Sequence, residues 1–241
     1  MKMNMFSPKP DTPIHLLSGL RGRVTSKCIL VEANEPWLSI GSGVLGGGIG
    51  TKLLFLNRQV SKNYDACNPN QEMTKWLEAT LPFCQIDACS ALMTAAWVSH
   101  GVWAQLACGT QEAVVITTAG LSNACAAGLT VCFSQTKPCP GTINIMAFLS
   151  HSLTPGGLVN AVQTITEAKT RTLGEMGVRC LQSGFPATGT GTDAVIVAGN
   201  PKGPLADYAG PTTVTGCLLA NGVQRTLTGA IQKYCQAISD N

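Results

Sequence analysis

The sequence predicts a single α/β or α+β domain in which helices pack on a mixed β-sheet. Segments with the apolar runs of buried strands alternate with segments of helical spacing, and short Gly- and Pro-containing turns separate them. The 241 residues are 45% hydrophobic and only 12% charged, which is typical of a chain that buries one substantial core. We therefore expect an irregular N-terminal arm over residues 1–24 and one domain over residues 25–241.

The first half of the chain contains two predicted strands and two predicted helices. Three prolines within residues 1–24 indicate that the arm is irregular. Short apolar runs predict the strands, and apolar residues at helical spacing predict the helices. The predicted elements are a strand at residues 28–32, a strand at 38–40, a Gly-rich segment at 41–50, a helix near 71–80 and a helix around 91–103.

The second half has the stronger strand signals. The run AVVITT is the clearest buried strand, because it is apolar, β-branched and bounded by turn residues. Gly216, Gly222 and Gly229 disfavour the last helix, so we expect it to be interrupted. The predicted elements are strands at 113–118 and 142–149, a helix at 158–173, a strand at 194–198 and a helix at 213–238.

Charge and hydropathy argue against nucleic-acid binding and a membrane span. The net charge of +3 includes no basic block, and aromatic residues make up only 5% of the chain. No run of about 18 apolar residues is present, and the N-terminal MKMN lacks the apolar stretch of a secretory signal. We expect a cytoplasmic protein, and the composition is compatible with a homo-oligomer.

The cysteines and histidines do not predict a metal site. Eleven cysteines include no C-x-x-C pair, and H-E-x-x-H is absent. We expect most of the thiols to be small core residues and the lone histidines His15, His100 and His151 to be structural or solvated. No bound cofactor is predicted.

A Thr- and Gly-rich loop, TGTGT at residues 188–192, leads to Asp193 at the start of the strand 194–198. Glycines let the backbone approach a ligand closely, and threonine hydroxyls and backbone N–H groups supply donors. The loop therefore suits a polar substrate group. A turn in which Thr and Asp side chains bond their own backbone explains the same residues, and both interpretations stay open.

Lys169 lies near the middle of the apolar stripe of the helix 158–173, whereas Glu167 lies on the opposite side. A lysine on the core side extends to an edge, pairs with a buried acid or lines a cleft. Asp193 is the obvious partner if the following strand packs beside this helix.

Small polar residues recur at the ends of the other predicted strands. Ser122 and Asn123 follow the strand 113–118, while Thr142 and Asn144 lie at the start of the strand 142–149. Because ligands in α/β sheets gather where strands end, we expect one cleft built from several strand ends. For any single loop, ordinary turn and capping chemistry explains these residues equally well.

The Gly-rich segment 41–46, GSGVLG, matches G-x-G-x-x-G but does not predict a dinucleotide site. Glycines at positions 47, 48 and 50 oppose a following helix, and no strand ending in an acid follows at the required distance.

Taken in order, seven strings resemble the adenosylcobinamide amidohydrolase family of cobamide salvage. The likeness covers roughly residues 38–235, and the ordered set is more specific than any one string. The strings occupy residues 57–60 with 64–65, 92–96, 118–123, 141–145, 166–170, 188–194 and 208–210. The resemblance implies hydrolysis of the amide that joins an aminopropanol arm to a corrin-ring propionate, giving adenosylcobyric acid. It also implies that the Gly-rich segment 41–46 is a flexible substrate loop.

A corrinoid is then expected as substrate and not as a tightly held cofactor, since the D-x-H-x-x-G pattern of cobalamin carriers is absent. We assign Asp193 to acid–base work and Lys169 to carbonyl polarisation or assistance to the leaving amine. Substrate binding is assigned to Asn57, Thr94, Ser122, Asn123, Thr142, Asn144, Glu167, Thr188, Gly189, Thr190, Gly191 and Thr192.

The identity of the attacking group stays open. Thr142, Ser122 and several cysteines are chemically able nucleophiles, but no G-x-S-x-G elbow is present, so direct attack by water is favoured over a covalent intermediate. The rival function is a non-catalytic corrinoid or small-molecule binding protein that uses the same loops. A nucleotide-using transferase is disfavoured because a Walker-type G-x-x-x-x-G-K-[ST] motif is absent.

Overall fold

Ten strands pair into one curled mixed sheet in the computed structural model, which describes residues 1–130 and 141–239. Two further two-stranded sheets and three α-helices complete the described part of the single α/β domain. The elements of the first half are β1 (Lys2–Phe6), β2 (Ile14–Leu17), β3 (Leu20–Val24), β4 (Cys28–Gly41), β5 (Gly48–Gln59), α1 (Pro69–Thr80), β6 (Cys89–Thr94) and β7 (Val102–Cys108). Those of the second half are β8 (Gln111–Ala119), β9 (Ala124–Cys125), β10 (Ile143–Leu149), β11 (Ser152–Leu153), α2 (Pro155–Glu175), β12 (Gly189–Thr190), β13 (Ala194–Gly199), β14 (Leu205–Ala206) and α3 (Val214–Ser239).

The large sheet has the order β1-β7-β8-β10-β13-β4-β3-β2, with β5 beside β4 and β6 beside β5. The pairs β10/β13 and β5/β6 are parallel, and the other pairs in this sheet are antiparallel. Three apolar clusters show that the sheet curls back on itself. One lies between its two halves, one lies under α2 and α3, and one lies under α1. The domain is therefore a four-layer sandwich with helices on both outer faces.

Side-chain alternation along the strands separates these layers. On β10, Ile145 and Ala147 pack under the helices, whereas Met146 and Phe148 enter the layer between the two sheet halves. Asn144 has the same parity as Met146, so it also faces the inter-sheet layer. This alternation determines which polar side chains reach the open end of that layer.

Two helices begin at residues suited to capping. The Asn68 side chain accepts the N–H of Gln71 at 3.1 Å, and Pro69 occupies the first turn of α1. At the start of α2, Thr154 accepts the N–H of Gly157 at 3.0 Å. The helices predicted at 71–80 and 158–173 are confirmed with these slightly earlier starts.

The strands predicted at 113–118, 142–149 and 194–198 are confirmed as β8, β10 and β13. The two predicted at 28–32 and 38–40 are parts of the single strand β4, which carries a register shift between Glu32 and Trp37.

Three secondary-structure predictions were wrong. Residues 1–24 are not an irregular arm, because β1, β2 and β3 in this stretch pair into the large sheet. The segment 91–103 is not a helix. It contains most of β6, a short 3₁₀ turn and the start of β7, and pairing with β5 and β8 outweighs the helical propensity of its alanines.

The third error concerns α3, which runs without interruption through its glycines. A side chain at Gly222 would place a Cβ 2.5 Å from Cγ2 of Val115 on β8. Glycine therefore lets the helix approach the sheet closely, and this packing offsets its low helix propensity.

Candidate active site

A pocket of about 390 Å³ opens at one end of the inter-sheet layer. Its walls come from the loop between β4 and β5, the segment after β5, the end of β6 and the residues that begin β10 and β13. The lining comprises residues 42–44, 60, 64–66, 69, 92–95, 141–142 and 192–194. The sequence prediction that one cleft forms where several strands begin or end is confirmed at these positions.

Asp193 lies in the pocket wall, and its carboxylate accepts four hydrogen bonds. Oδ1 accepts the backbone N–H of Ile143 at 3.0 Å and the hydroxyl of Thr190 at 2.5 Å. Oδ2 accepts the backbone N–H of Thr190 at 3.1 Å and forms an ion pair with Nζ of Lys169. The side chains of Lys169 and Asp193 are only 13% and 16% exposed. Of the three alternatives left open for Lys169, pairing with a buried acid is therefore the one observed.

The sequence around this pair is shaped by close packing. A Cβ at Gly189 would lie 2.9 Å from Nζ of Lys169 and would also contact Oδ2 of Asp193. Any larger residue at position 189 would displace one of the two charged groups. The glycine in the TGTGT loop therefore permits the ion pair to form.

Buried amide and hydroxyl side chains form a network behind the pocket. Asn57 Nδ2 donates to the Thr118 hydroxyl at 2.9 Å, and Asn144 Nδ2 donates to Asn57 Oδ1 at 2.8 Å. Asn144 Nδ2 also donates to the carbonyl of Met93 at 2.8 Å, while Asn144 Oδ1 accepts the hydroxyl of Thr142 at 3.0 Å. These bonds join β5, β6, β8 and β10 at the open end of the inter-sheet layer.

The loop before β13 connects this network to the charged pair. The Thr142 hydroxyl also lies 2.7 Å from the Thr192 carbonyl, and the Thr192 hydroxyl donates to the Gly141 carbonyl at 2.7 Å. The Thr190 hydroxyl has the same Gly141 carbonyl as a second acceptor at 3.3 Å. A continuous set of polar contacts thus runs from Asn57 to Lys169.

A second polar group supports the wall formed by the segment after β5. The Arg58 guanidinium binds the Glu72 carboxylate through two bonds of 2.6 and 2.7 Å and lies 4.7 Å from the ring centroid of Trp76. The Tyr64 hydroxyl donates to Oε2 of Glu72 at 3.2 Å. The hydrogen bonds from Arg58 lower the pKa of Glu72, and burial together with the Glu72 charge raises the pKa of Tyr64.

The structure brings many of the predicted site residues to the pocket, but some line it and others only lie beside it. Thr94 lines the pocket, and its hydroxyl accepts the N–H of Ala96 at 3.0 Å. Ser122 and Asn123 lie against Gly141, where an added Cβ would be 2.6 Å from Ser122 Oγ and 2.5 Å from Asn123 Oδ1. They therefore adjoin the pocket without lining it.

Thr188 and Gly191 also lie beside the pocket and not in its lining. The Thr188 hydroxyl accepts the N–H of Ala127 at 2.9 Å, so it joins the loop to the segment after β9. A Cβ at Gly191 would lie 3.5 Å from Nδ2 of Asn123. Both residues shape the loop that carries Thr190 and Thr192.

Glu167, predicted as a substrate-binding residue, does not line this pocket. It is exposed and lines a separate cavity of about 240 Å³ together with Arg171 of α2 and Gln224 of α3. The reason is helical geometry, because a residue two positions from Lys169 lies on roughly the opposite side of the helix.

Thr118, Ser42, Tyr64 and Asp65 were missed as site residues. Thr118 belongs to the buried network, and the other three line the pocket. Thr118, Tyr64 and Asp65 belong to the strings that carry the family resemblance, which was the available signal. The Gly-rich loop 41–46 does reach the pocket through Ser42 and its neighbours, as the prediction of a substrate loop requires.

The described histidines and cysteines are spread over the fold. Within residues 1–130 and 141–239, no three His, Cys, Asp or Glu side chains come together in a way that could hold a metal ion. Of the nine cysteines described there, only Cys28, Cys89 and Cys180 are buried, so the prediction that most thiols are core residues was wrong for this part of the chain. Cys132 and Cys139 lie outside the described residues.

No helix in the described part of the chain has the length and hydropathy needed to span a bilayer.

Solved structures that resemble this chain include two with low TM-scores. A β-aminopeptidase of Burkholderia sp. superposes with a TM-score of 0.44 at 10% identity, over 85% of this chain and 78% of that one. The PH0078 protein of Pyrococcus horikoshii OT3 superposes with a TM-score of 0.45 at 7% identity, over 95% and 83% of the two chains. Both scores are too low to support an argument.

Sequence comparison is more informative. An uncharacterized protein of Methanocaldococcus jannaschii is 38% identical over 94 residues, which cover 39% of this chain and only 36% of that protein. The adenosylcobinamide amidohydrolase of Halobacterium salinarum is 32% identical over 168 residues, which cover 68% of this chain and 67% of that enzyme. The sequence model of the adenosylcobinamide amidohydrolase family matches residues 13–239, which include every pocket-lining residue. The chain therefore belongs to the adenosylcobinamide amidohydrolase family.

Proposed function

We propose that this protein hydrolyses the aminopropanol amide of adenosylcobinamide, releasing 1-aminopropan-2-ol and adenosylcobyric acid. The observation that carries the proposal is the convergence of Asp193, Lys169 and Thr142 with a buried amide network at one pocket. Membership of the family supplies the substrate class, and the pocket supplies groups that can act on an amide.

The charge of the pocket suits such a ligand. Among its described lining residues, the charged side chains are the carboxylates of Asp65 and Asp193, and the ammonium of Lys169, which pairs with Asp193, lies behind the lining. A pocket of this composition disfavours phosphates and tolerates the cationic corrin of a cobinamide, whose peripheral amides are neutral. The leaving amine also becomes a cation when it is protonated.

The size of the pocket limits what enters it. A corrin ring with an axial adenosyl group is much larger than about 390 Å³. The pocket therefore accommodates the arm that carries the amide, and the ring edge rests at the mouth. Apolar residues such as Val60 and Leu92 line part of the wall, while Thr142 and Asp193 supply its polar part.

The hydrolysis requires that water attacks the amide carbon, that the C–N bond breaks and that the nitrogen gains a proton. Asp193 is the proposed acid–base group, but its four acceptor positions are already filled. The Thr190 hydroxyl has two acceptors, Asp193 Oδ1 and the Gly141 carbonyl. When it donates to Gly141, one acceptor position on Oδ1 becomes available for the attacking water.

Asp193 then accepts a proton from that water and returns it to the departing amine, so that the carboxylate is regenerated. The Lys169 ammonium, held against Asp193 Oδ2, stabilises negative charge that develops beside it. The Thr142 hydroxyl lies in the pocket lining and positions the substrate amide in this scheme.

The proposal is tested by incubating the protein with adenosylcobinamide and following the mixture by mass spectrometry. The expected result is stoichiometric formation of adenosylcobyric acid and 1-aminopropan-2-ol. Recovery of intact adenosylcobinamide over a range of pH and added divalent metals, together with measurable binding, would instead identify a corrinoid-binding protein. If the Thr190 hydroxyl moves from Asp193 to the Gly141 carbonyl during the reaction, Thr190→Val should lower turnover strongly. Thr190→Ser keeps a hydroxyl and should retain turnover.

A further inference from the structure

The segment between β5 and α1 forms part of the wall of the pocket. Val60, Tyr64, Asp65 and Ala66 line the cavity together with Pro69 at the start of α1. None of these lining residues belongs to the charged pair or the buried amide network. The contribution of this wall to the reaction is therefore not explained by the acid–base scheme.

Tyr64 is the aromatic residue of this wall, and its hydroxyl is already engaged. The phenol donates to Oε2 of Glu72 at 3.2 Å, so it is directed to α1. The carbon atoms of the half-buried ring are then the part of Tyr64 available to a ligand. An aromatic ring held in one place offers a large apolar contact at low entropic cost.

The fixation of Tyr64 depends on a rigid support. Glu72 is bound by both terminal nitrogens of Arg58, whose side chain is only 13% exposed. The guanidinium of Arg58 is in turn packed 4.7 Å from the ring centroid of Trp76 on α1. A two-point Arg–carboxylate contact with a stacked guanidinium fixes the carboxylate more firmly than a single exposed ion pair.

Arg58 also connects the contact between Glu72 and Tyr64 to the buried amide network. It follows Asn57 directly on β5, and successive strand residues face opposite sides of the sheet. Asn57 enters the inter-sheet network while Arg58 reaches α1. One short stretch of β5 thus positions both the polar interior of the pocket and its outer wall.

We propose that Tyr64 is a specificity-determining residue that packs on the apolar edge of the substrate beside the arm to be cleaved, with Arg58 and Glu72 as its positioning residues. This assignment rests on the proposed function for the identity of the substrate. Methyl groups on the corrin periphery supply the apolar surface that the ring contacts. Because this contact is made equally before and during the reaction, it contributes to binding and not to the chemical step.

The test compares steady-state kinetics of Tyr64→Ala, Tyr64→Phe and Glu72→Gln with adenosylcobinamide as substrate. Tyr64→Ala should raise KM about tenfold and leave kcat within about twofold, because uniform binding is lost. Tyr64→Phe keeps the ring and should raise KM less. Glu72→Gln should raise KM by itself but add little in the Tyr64→Ala background, since its effect passes through Tyr64.

Two control variants and one substitute variant complete the experiment. Tyr208→Ala removes a tyrosine that is 71% exposed and does not line the pocket, and Glu175→Gln removes one partner of an exposed ion pair on α2. Neither control should change KM. Tyr64→Leu, which retains an apolar side chain, replaces the alanine variant if the latter has a lowered melting temperature.

The outcomes separate this inference from the proposed function. Wild-type turnover with an unchanged KM for the Tyr64 variants, or a fall in kcat alone, overturns the role of Tyr64 while leaving the hydrolysis intact. If the wild-type protein binds adenosylcobinamide without cleaving it, the proposed function fails, and the dissociation constant replaces KM as the readout. A Tyr64→Ala dissociation constant equal to that of the wild type then overturns the inference as well.

Discussion

Substitution of Asp193 distinguishes a catalytic carboxylate from a purely structural one. In Asp193→Asn, a single amide oxygen replaces two carboxylate oxygens that accept four hydrogen bonds, and Lys169 loses its counter-charge. Breaking a buried pair by removing one partner typically costs about 3–5 kcal/mol, and we expect the low end, about 3 kcal/mol, because both side chains keep a small exposed fraction. Turnover should fall by about 100-fold or more, which is typical of a lost acid–base group.

The structural part of this effect can be separated by a double-mutant cycle. Lys169→Met alone leaves Asp193 without its ammonium, whereas Lys169→Met combined with Asp193→Asn leaves no uncompensated charge. The double variant should therefore be more stable than the sum of the single effects, with a coupling free energy of about 2 kcal/mol from urea unfolding of the four proteins. Its activity should stay low, because the proton acceptor is still missing.

The matched control is the pair formed by Arg171 and Glu175. These side chains are 75% and 43% exposed, so the same cycle should give no measurable coupling free energy. A coupling too small to measure for Lys169 and Asp193 would refute the buried-pair reasoning. Recovery of turnover in the double variant would show that Asp193 only maintains the loop.

Three further expectations follow from buried groups and close contacts. Asn144→Leu leaves buried partners without hydrogen bonds and should lower the free energy of unfolding by about 3 kcal/mol, measured by urea denaturation. Burial lowers the pKa of His151 below 6.5, so the unfolded chain binds more protons than the folded chain as the pH falls below that value. Stability should therefore decline from pH 6.5 towards pH 5, and His151→Gln should reduce this slope in pH-dependent unfolding without abolishing it, because burial also lowers the pKa of His100. Gly43→Ala places a methyl group against the carbonyl of Ala91 and should displace the loop that lines the pocket, and a KM that stays at the wild-type value would argue against this.

The pairing of Lys169 with Asp193 could be predicted because helical periodicity and the packing of the next strand both bring these residues to the same place. Helical periodicity placed Lys169 on the core side of α2, and the strand that begins after Asp193 packs beside that helix. Thr142 and Asn144 could likewise be expected to converge, because they begin a strand that lies next to β13.

Other features depend on contacts that are remote in sequence. β1 is a five-residue edge strand with mostly exposed residues, and its pairing with β7 is not readable from its own composition. Tyr64 is close in sequence to Arg58 and Glu72, but its position depends on how the end of β5 and α1 pack together, which the local pattern does not indicate. Glu167 belongs to one of the strings that resemble the family, but it lies on the side of α2 away from Lys169 and lines a different cavity.

A crystal structure of the Asp193→Asn variant with adenosylcobinamide bound would show directly where the substrate lies. We expect the aminopropanol arm to enter the pocket of about 390 Å³, with its amide between Thr142 and the side chain at position 193. Ligand density elsewhere, for example in the cavity of about 670 Å³ formed beside Pro82 and Phe83, would contradict this expectation.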